Sequence, residues 1–82
     1  MTKKMEFLEV VAQYGKMQTE EISMGMRFRE DLGFSSLDFM SFLGELEDTF
    51  DVELDEEKAL EILTVEEAFS LLCDLLEEEA AS

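Results

Sequence analysis

The chain has 82 residues, 46% of them hydrophobic and 34% charged, with seven Phe. That size fits a single domain, 1–82, with a small core, and the apolar content excludes intrinsic disorder. Twenty-two Asp and Glu against six Lys and Arg give a net charge of -16, which repels phosphate backbones and anionic membranes and favours a basic protein partner over nucleic acid.

The first predicted helix runs from about Thr2 to Tyr14. Phe7, Val10, Val11 and Tyr14 fall at i, i+3, i+4 and i+7, one helical face. Thr2 is its expected cap, and Gly15 the expected left-handed residue after it. Residues 16–35 lack a sustained period but carry Ile22, Met24, Met26, Phe28, Leu32 and Phe34. So much apolar surface implies a long loop packed over the core, with one helical turn at Thr19–Ile22.

The second helix is expected from Ser35 or Ser36 to about Phe50, because a Ser hydroxyl accepts from a free first-turn N–H. Its core stripe is Phe39, Phe42, Leu43, Leu46 and Phe50. Asp55 caps a short third helix ending between Leu60 and Ile62. Thr64 and Glu67 have capping-box spacing and open a fourth helix, expected to run to Glu77 before a fraying acidic tail. Val65, Ala68, Phe69, Leu72 and Leu76 form its inner face. The fold class is therefore all-α: a small bundle of three main helices plus one short helix, with a long first loop.

The absences narrow the chemistry. With no His, the commonest general base and metal ligand is missing. The single Cys73 lies beside a core face and cannot form an internal disulfide. No apolar run approaches the ~20 residues that span a bilayer, and Met1–Val11 reads as neither a signal nor a transit peptide. A cytoplasmic monomer is expected. Asp51, Glu53 and Asp55 match the first liganding positions of an EF-hand, but Glu56 stands where Gly is needed and Ile62 where Glu is needed. No metal site is expected, and no catalytic residue.

The second helix carries a second stripe. Leu37, Met40 and Gly44 lie off the core face, with Asp48 and Asp51 on the same flank. Periodicity alone fits ordinary exposed residues as well as it fits a partner-docking groove. At the head of this helix, Gly33 suits a sharp turn, and Ser36 lies where helical N–H groups and the dipole favour an anion.

The segment Phe28-Arg29-Glu30-Asp31-Leu32-Gly33-Phe34-Ser35-Ser36-Leu37-Asp38, continuing to Leu46-Glu47-Asp48-Thr49-Phe50, resembles the acyl carrier protein family. The family pattern is a Phe, two acidic residues, Leu-Gly, one variable residue and Asp-Ser-Leu, then a helix ending in Leu-Glu and an acidic residue before Phe. Charge, helix order and the long first loop also agree.

The resemblance implies 4′-phosphopantetheine, derived from coenzyme A, on Ser36, holding acyl groups as thioesters on its thiol. It implies a carrier without catalysis of its own, loaded by a phosphopantetheinyl transferase and serving chain-modifying and acyl-transferring enzymes. Leu37, Met40 and Gly44 would form the apolar part of the docking surface, with Asp38, Glu45, Glu47, Asp48 and Asp51 as its acidic rim.

Four departures stand out: Ser35 where the family has Asp, Ser41 where it commonly has an acid, Gly44 where it often has an apolar residue, and Asp55 where Pro often opens the third helix. They lean towards a specialised lipid, polyketide or other secondary pathway over primary fatty-acid synthesis. The alternative is an acidic helical interaction module that binds a basic partner without any prosthetic group.

Overall fold

The structure, a computed structural model, describes residues 3–81, and side chains through Glu77. It contains four helices: α1 (Lys3–Gly15), α2 (Ser36–Phe50), α3 (Glu56–Leu60) and α4 (Val65–Ala81), with a 3-10 turn at Thr19–Glu21. No strand occurs among the described residues; the only extended pairing there is an isolated antiparallel bridge between Arg27 and Thr64. The expected all-α bundle is therefore the observed architecture. The Thr2 cap lies outside the described residues.

Each amphipathic stripe supplies one wall of a common core. Phe7, Leu8, Val10 and Val11 come from α1; Phe42, Leu43 and Leu46 from α2; Val65, Ala68 and Leu72 from α4. Phe42 is the hub. Its ring lies 5.3 Å from Phe28, 5.7 Å from Phe34, 6.0 Å from Phe7, 6.2 Å from Phe39 and 6.4 Å from Tyr14, centroid to centroid. Tilted and edge-on rings at these separations gain quadrupolar attraction beyond the area they bury.

The loop from Lys16 to Ser35 packs over this core as expected, burying Ile22, Phe28, Leu32 and Phe34. Backbone bonds close its second half. Asp31 and Leu32 N–H donate to Arg27 C=O at 3.0 and 3.1 Å, and Phe34 N–H to Phe28 C=O at 2.8 Å. The Asp31 carboxylate accepts from Arg27 N–H at 2.8 Å, and Gly33 turns the chain at φ 73°. The spacing of Phe28, Asp31, Leu32, Gly33 and Phe34 is thus the spacing of a closed loop: three apolar anchors, one carboxylate that ties the backbone, and one residue free to take positive φ.

The same loop caps α4. Val65 N–H donates to Met26 C=O at 2.9 Å and Glu66 N–H to Met24 C=O at 2.8 Å, while Glu67 N–H donates to Thr64 Oγ at 3.2 Å. Glu67 Oε1 accepts from Thr64 N–H at 3.1 Å, which completes the predicted capping box. The first three N–H groups of α4, which no helix can satisfy internally, all have partners.

Four details differ from the sequence reading. Helix α1 continues through Gly15, and Lys16 takes the left-handed conformation at φ 58°. Gly15 faces the wall formed by Phe34 and Leu32, so the turn falls one residue later, where the side chain is exposed. Phe39 and Phe50 are half-buried beside the core, as are Phe69 and Leu76. Periodicity found the right face, but these residues lie at its margin, and Phe39 opens onto a cleft it shares with Leu60 of the five-residue α3. Helix α4 runs on to Ala81, past the expected end at Glu77.

Candidate functional site

The candidate site is the head of α2. Ser35 is its N-cap, with extended backbone and a reciprocal capping box: Asp38 N–H donates to Ser35 Oγ, and Ser35 N–H to Asp38 Oδ2, both at 3.1 Å. Ser35, standing where the resemblance has Asp, thus does an equivalent capping job without the charge. Ser35 also explains the acidity of Asp38. Its carboxyl is held below its ordinary range by the Ser35 backbone N–H first and the Ser35 hydroxyl next; Lys16 adds a weaker attraction, against a small desolvation effect.

With Ser35 committed to the cap, Ser36 is the first helical residue, and its side chain is exposed. Its Oγ accepts from Arg29 Nη2 at 3.0 Å. The sequence reading gave Arg29 no role. Its only signal was a cation inside an acidic chain, and seven residues of loop had to be folded before it met Ser36.

Arg29 also lines a cleft of about 530 Å³ with Phe28, Phe39, Leu60, Ile62 and Leu63. Its apolar wall comes from α2 and the α3 region, and Leu60 and Leu63 stand 71% and 66% exposed. An exposed hydroxyl, a guanidinium against it and an adjoining apolar cleft fit a phosphodiester-linked arm with an apolar cargo.

Down α2 from Ser36, the second stripe emerges as a continuous exposed strip. Leu37 is 77% and Met40 46% exposed. Gly44, Asp48 and Asp51 are exposed below them. Nothing lies within 4 Å of where a Gly44 Cβ would be. Asp51 doubles as the left-handed C-cap of α2 at φ 55°. Asp38 and Glu47 sit less openly. Asp38 is tied into the cap, and Glu47 Oε2 accepts from Leu54 N–H at 3.0 Å, holding the loop after α2. Glu45 is half-buried.

Cys73 is free and half-buried in α4. Among the described residues no group of His, Cys, Asp or Glu is arranged to hold a metal ion, and no helix is long and apolar enough to cross a membrane.

Comparison with known proteins gives the family. Residues 6–79 match the family model described as the phosphopantetheine attachment site. An acyl carrier protein of Rubrobacter xylanophilus is 40% identical over 60 residues, covering 73% of this chain and 74% of that protein. The solved acyl carrier protein of Thermotoga maritima superposes with a TM-score of 0.77 at 26% identity, covering 90% of this chain and 86% of the other. A solved structure from Mycobacterium tuberculosis, assigned to the acyl carrier proteins, gives a TM-score of 0.82 at 24% identity, over 88% and 96% of the two chains. At that identity the likeness speaks for the fold. The chain belongs to the phosphopantetheine-binding carrier proteins. Within them it is a member of the acyl carrier protein family, whose cofactor is 4′-phosphopantetheine.

Proposed function

We propose that Ser36 is the attachment point of 4′-phosphopantetheine and that the 1–82 chain works as one carrier domain without catalysis of its own. The observation that carries this reading is the division of labour between two adjacent serines. Ser35 Oγ is spent on the α2 cap, whereas Ser36 Oγ is exposed at the surface. In loading, the Ser36 hydroxyl gives up its proton and bonds to the phosphorus bearing the pantetheine half of coenzyme A; adenosine 3′,5′-bisphosphate leaves. The bound group supplies a terminal thiol that holds acyl cargo as a thioester. The cleft beside Arg29 and Phe39 would shelter the cargo between encounters.

Partners would be the phosphopantetheinyl transferase and acyl-transferring or chain-modifying enzymes with basic docking patches. Leu37, Met40 and Gly44 offer apolar contact beside Ser36, and Asp48 and Asp51 lead the acidic rim, with Asp38 and Glu47 set further in. A strong field speeds encounter while a small apolar contact keeps release fast. The net charge makes a basic enzyme surface the complement, rather than nucleic acid. The uncharged Ser35 and the bare Gly44 favour a specialised pathway, and the working form is a cytoplasmic monomer.

Intact mass after incubation with coenzyme A and a broad-specificity transferase tests the reading. The protein and Ser35→Ala should each gain one phosphopantetheinyl group, and Ser36→Ala none. Gain by Ser36→Ala with loss by Ser35→Ala would move the site to Ser35.

A further inference from the structure

Arg29 is a cation set against the grain of this molecule, one of six in a chain with 22 acidic residues. Its surroundings leave it little else to do. The neighbouring Arg27 is paired with Glu30 at 2.7 Å. Asp31 is tied to Arg27 N–H, and Asp38 is tied to Ser35 N–H. The carboxylates beside the site therefore already have partners, and among the described residues Arg29 forms no ion pair. Its one hydrogen bond goes to Ser36 Oγ, a neutral oxygen that uses one of five guanidinium donors.

Resting on the reading of Ser36 as the attachment point, we propose that Arg29 is a phosphate clamp. In the loaded protein its guanidinium pairs with the phosphodiester and holds the root of the arm over the cleft it shares with Phe39 and Leu63. Esterification converts Oγ into a bridging oxygen, a weaker acceptor, and brings one negative charge, shared by two non-bridging oxygens, within two bonds of it. A guanidinium already 3.0 Å from Oγ reaches those oxygens by side-chain rotation alone. Its fork can then form two charge-assisted bonds where it had one neutral bond. Because Arg29 and Phe39 line the same cleft, the clamp also gives the arm a resting direction, towards α3 and away from the exposed strip of Leu37 and Met40.

The test compares the native chain with Arg29→Gln, Arg29→Lys, Arg27→Gln and Ser36→Ala. Each is incubated with coenzyme A and a broad-specificity transferase, weighed, and studied loaded and unloaded by melting and by phosphorus NMR. Arg27→Gln removes the same charge two residues away and serves as the control. Loading should raise the melting temperature of the native chain and of Arg27→Gln by roughly 4 °C more than that of Arg29→Gln at low salt. The difference should shrink at high salt, where ion pairs are screened. The phosphorus resonance should move and sharpen in Arg29→Gln only, with Arg29→Lys intermediate. If native protein and Arg29→Gln load equally but respond alike in both measurements, the clamp is wrong and the attachment site stands. A matching change in Arg27→Gln would also overturn it, leaving only the general field. If the native chain gains no mass, the attachment reading and the clamp fall together.

Discussion

The two walls of the cleft are built differently. On one side, the loop from Arg27 to Ser36 is closed by three backbone bonds and the Asp31 carboxylate, and it rests on Phe28, Leu32 and Phe34, all buried. Behind it stands Phe42, surrounded by aromatic rings. On the other side, α3 has five residues, and Ala59 is the one buried residue among them. Leu60 and Leu63 point outward, while Leu54 and Ile62 are half-buried. Dense, non-local bonding resists local opening, and a short helix with one small buried side chain does not. The proposed attachment point, Ser36, therefore sits on the firm wall, and the soft wall is the side that could yield to a bound acyl chain.

The largest expected effect sharpens that contrast. Phe42 has no exposed surface and touches rings from α1, α2 and the loop, so Phe42→Ala should cost about 3–5 kcal/mol. Against the ~5–15 kcal/mol typical of native domains, that leaves the protein close to unfolding at 25 °C. Leu60→Ala, on the soft wall, should change stability by no more than about 0.5 kcal/mol. Urea titration of both variants measures the difference, and equal losses would erase the distinction between the walls.

The next effect concerns how the firm wall ends. Ser35→Ala removes the α2 cap and should cost about 1 kcal/mol. Its partner adds a pH signature. The Asp38 pKa is depressed in the folded state, so its contribution is fully present above the unfolded value, about 3.9. It is lost as pH falls through the lower folded value. The native chain should exceed Asp38→Asn in stability at neutral pH, and the gap should close below about pH 4. Taking the difference between the two proteins cancels the many other carboxylates, which titrate in both. A gap constant from pH 7 to pH 2 would show that the charge on Asp38 does not support the cap.

How much of this was legible in the sequence divides along the same line. Caps are local, so Asp55 and the Thr64–Glu67 pair could be read from spacing and occur as expected, while spacing left the α2 start open between Ser35 and Ser36 and the structure makes Ser35 the cap. Faces are local too, and the α1, α2 and α4 stripes point inward. What covers a face is not local. Phe39 and Phe50 share the stripe of Phe42, yet remain half-buried, and Phe39 borders the cleft that Leu60, Ile62 and Leu63 line from the other side. The bridge from Arg27 to Thr64 and the bond from Arg29 to Ser36 depend on where a long loop lands. No periodicity encodes that. The left-handed residue at Lys16 is a subtler case: glycine is permissive, but packing chose the position of the turn.

An effect of similar size and opposite sign to the cap tests whether the exposed strip of α2 was shaped for folding. Gly44 lies mid-helix, with empty space where a Cβ would be. Glycine there costs roughly 1 kcal/mol relative to alanine, through the freedom it loses on folding. Gly44→Ala should therefore stabilise the protein by about that amount and raise its melting temperature by about 4–8 °C. Folding gains nothing from the glycine, and on the proposed docking strip a bare backbone would let a partner approach between Met40 and Asp48 more closely than any side chain would allow. Transferase efficiency on Gly44→Ala and on the bulkier Gly44→Leu separates the two roles. If both variants are stabilised and Gly44→Leu alone loads more slowly, the glycine is a feature of docking. If Gly44→Ala instead melts lower than the native chain, the glycine serves folding and its assignment to docking is wrong.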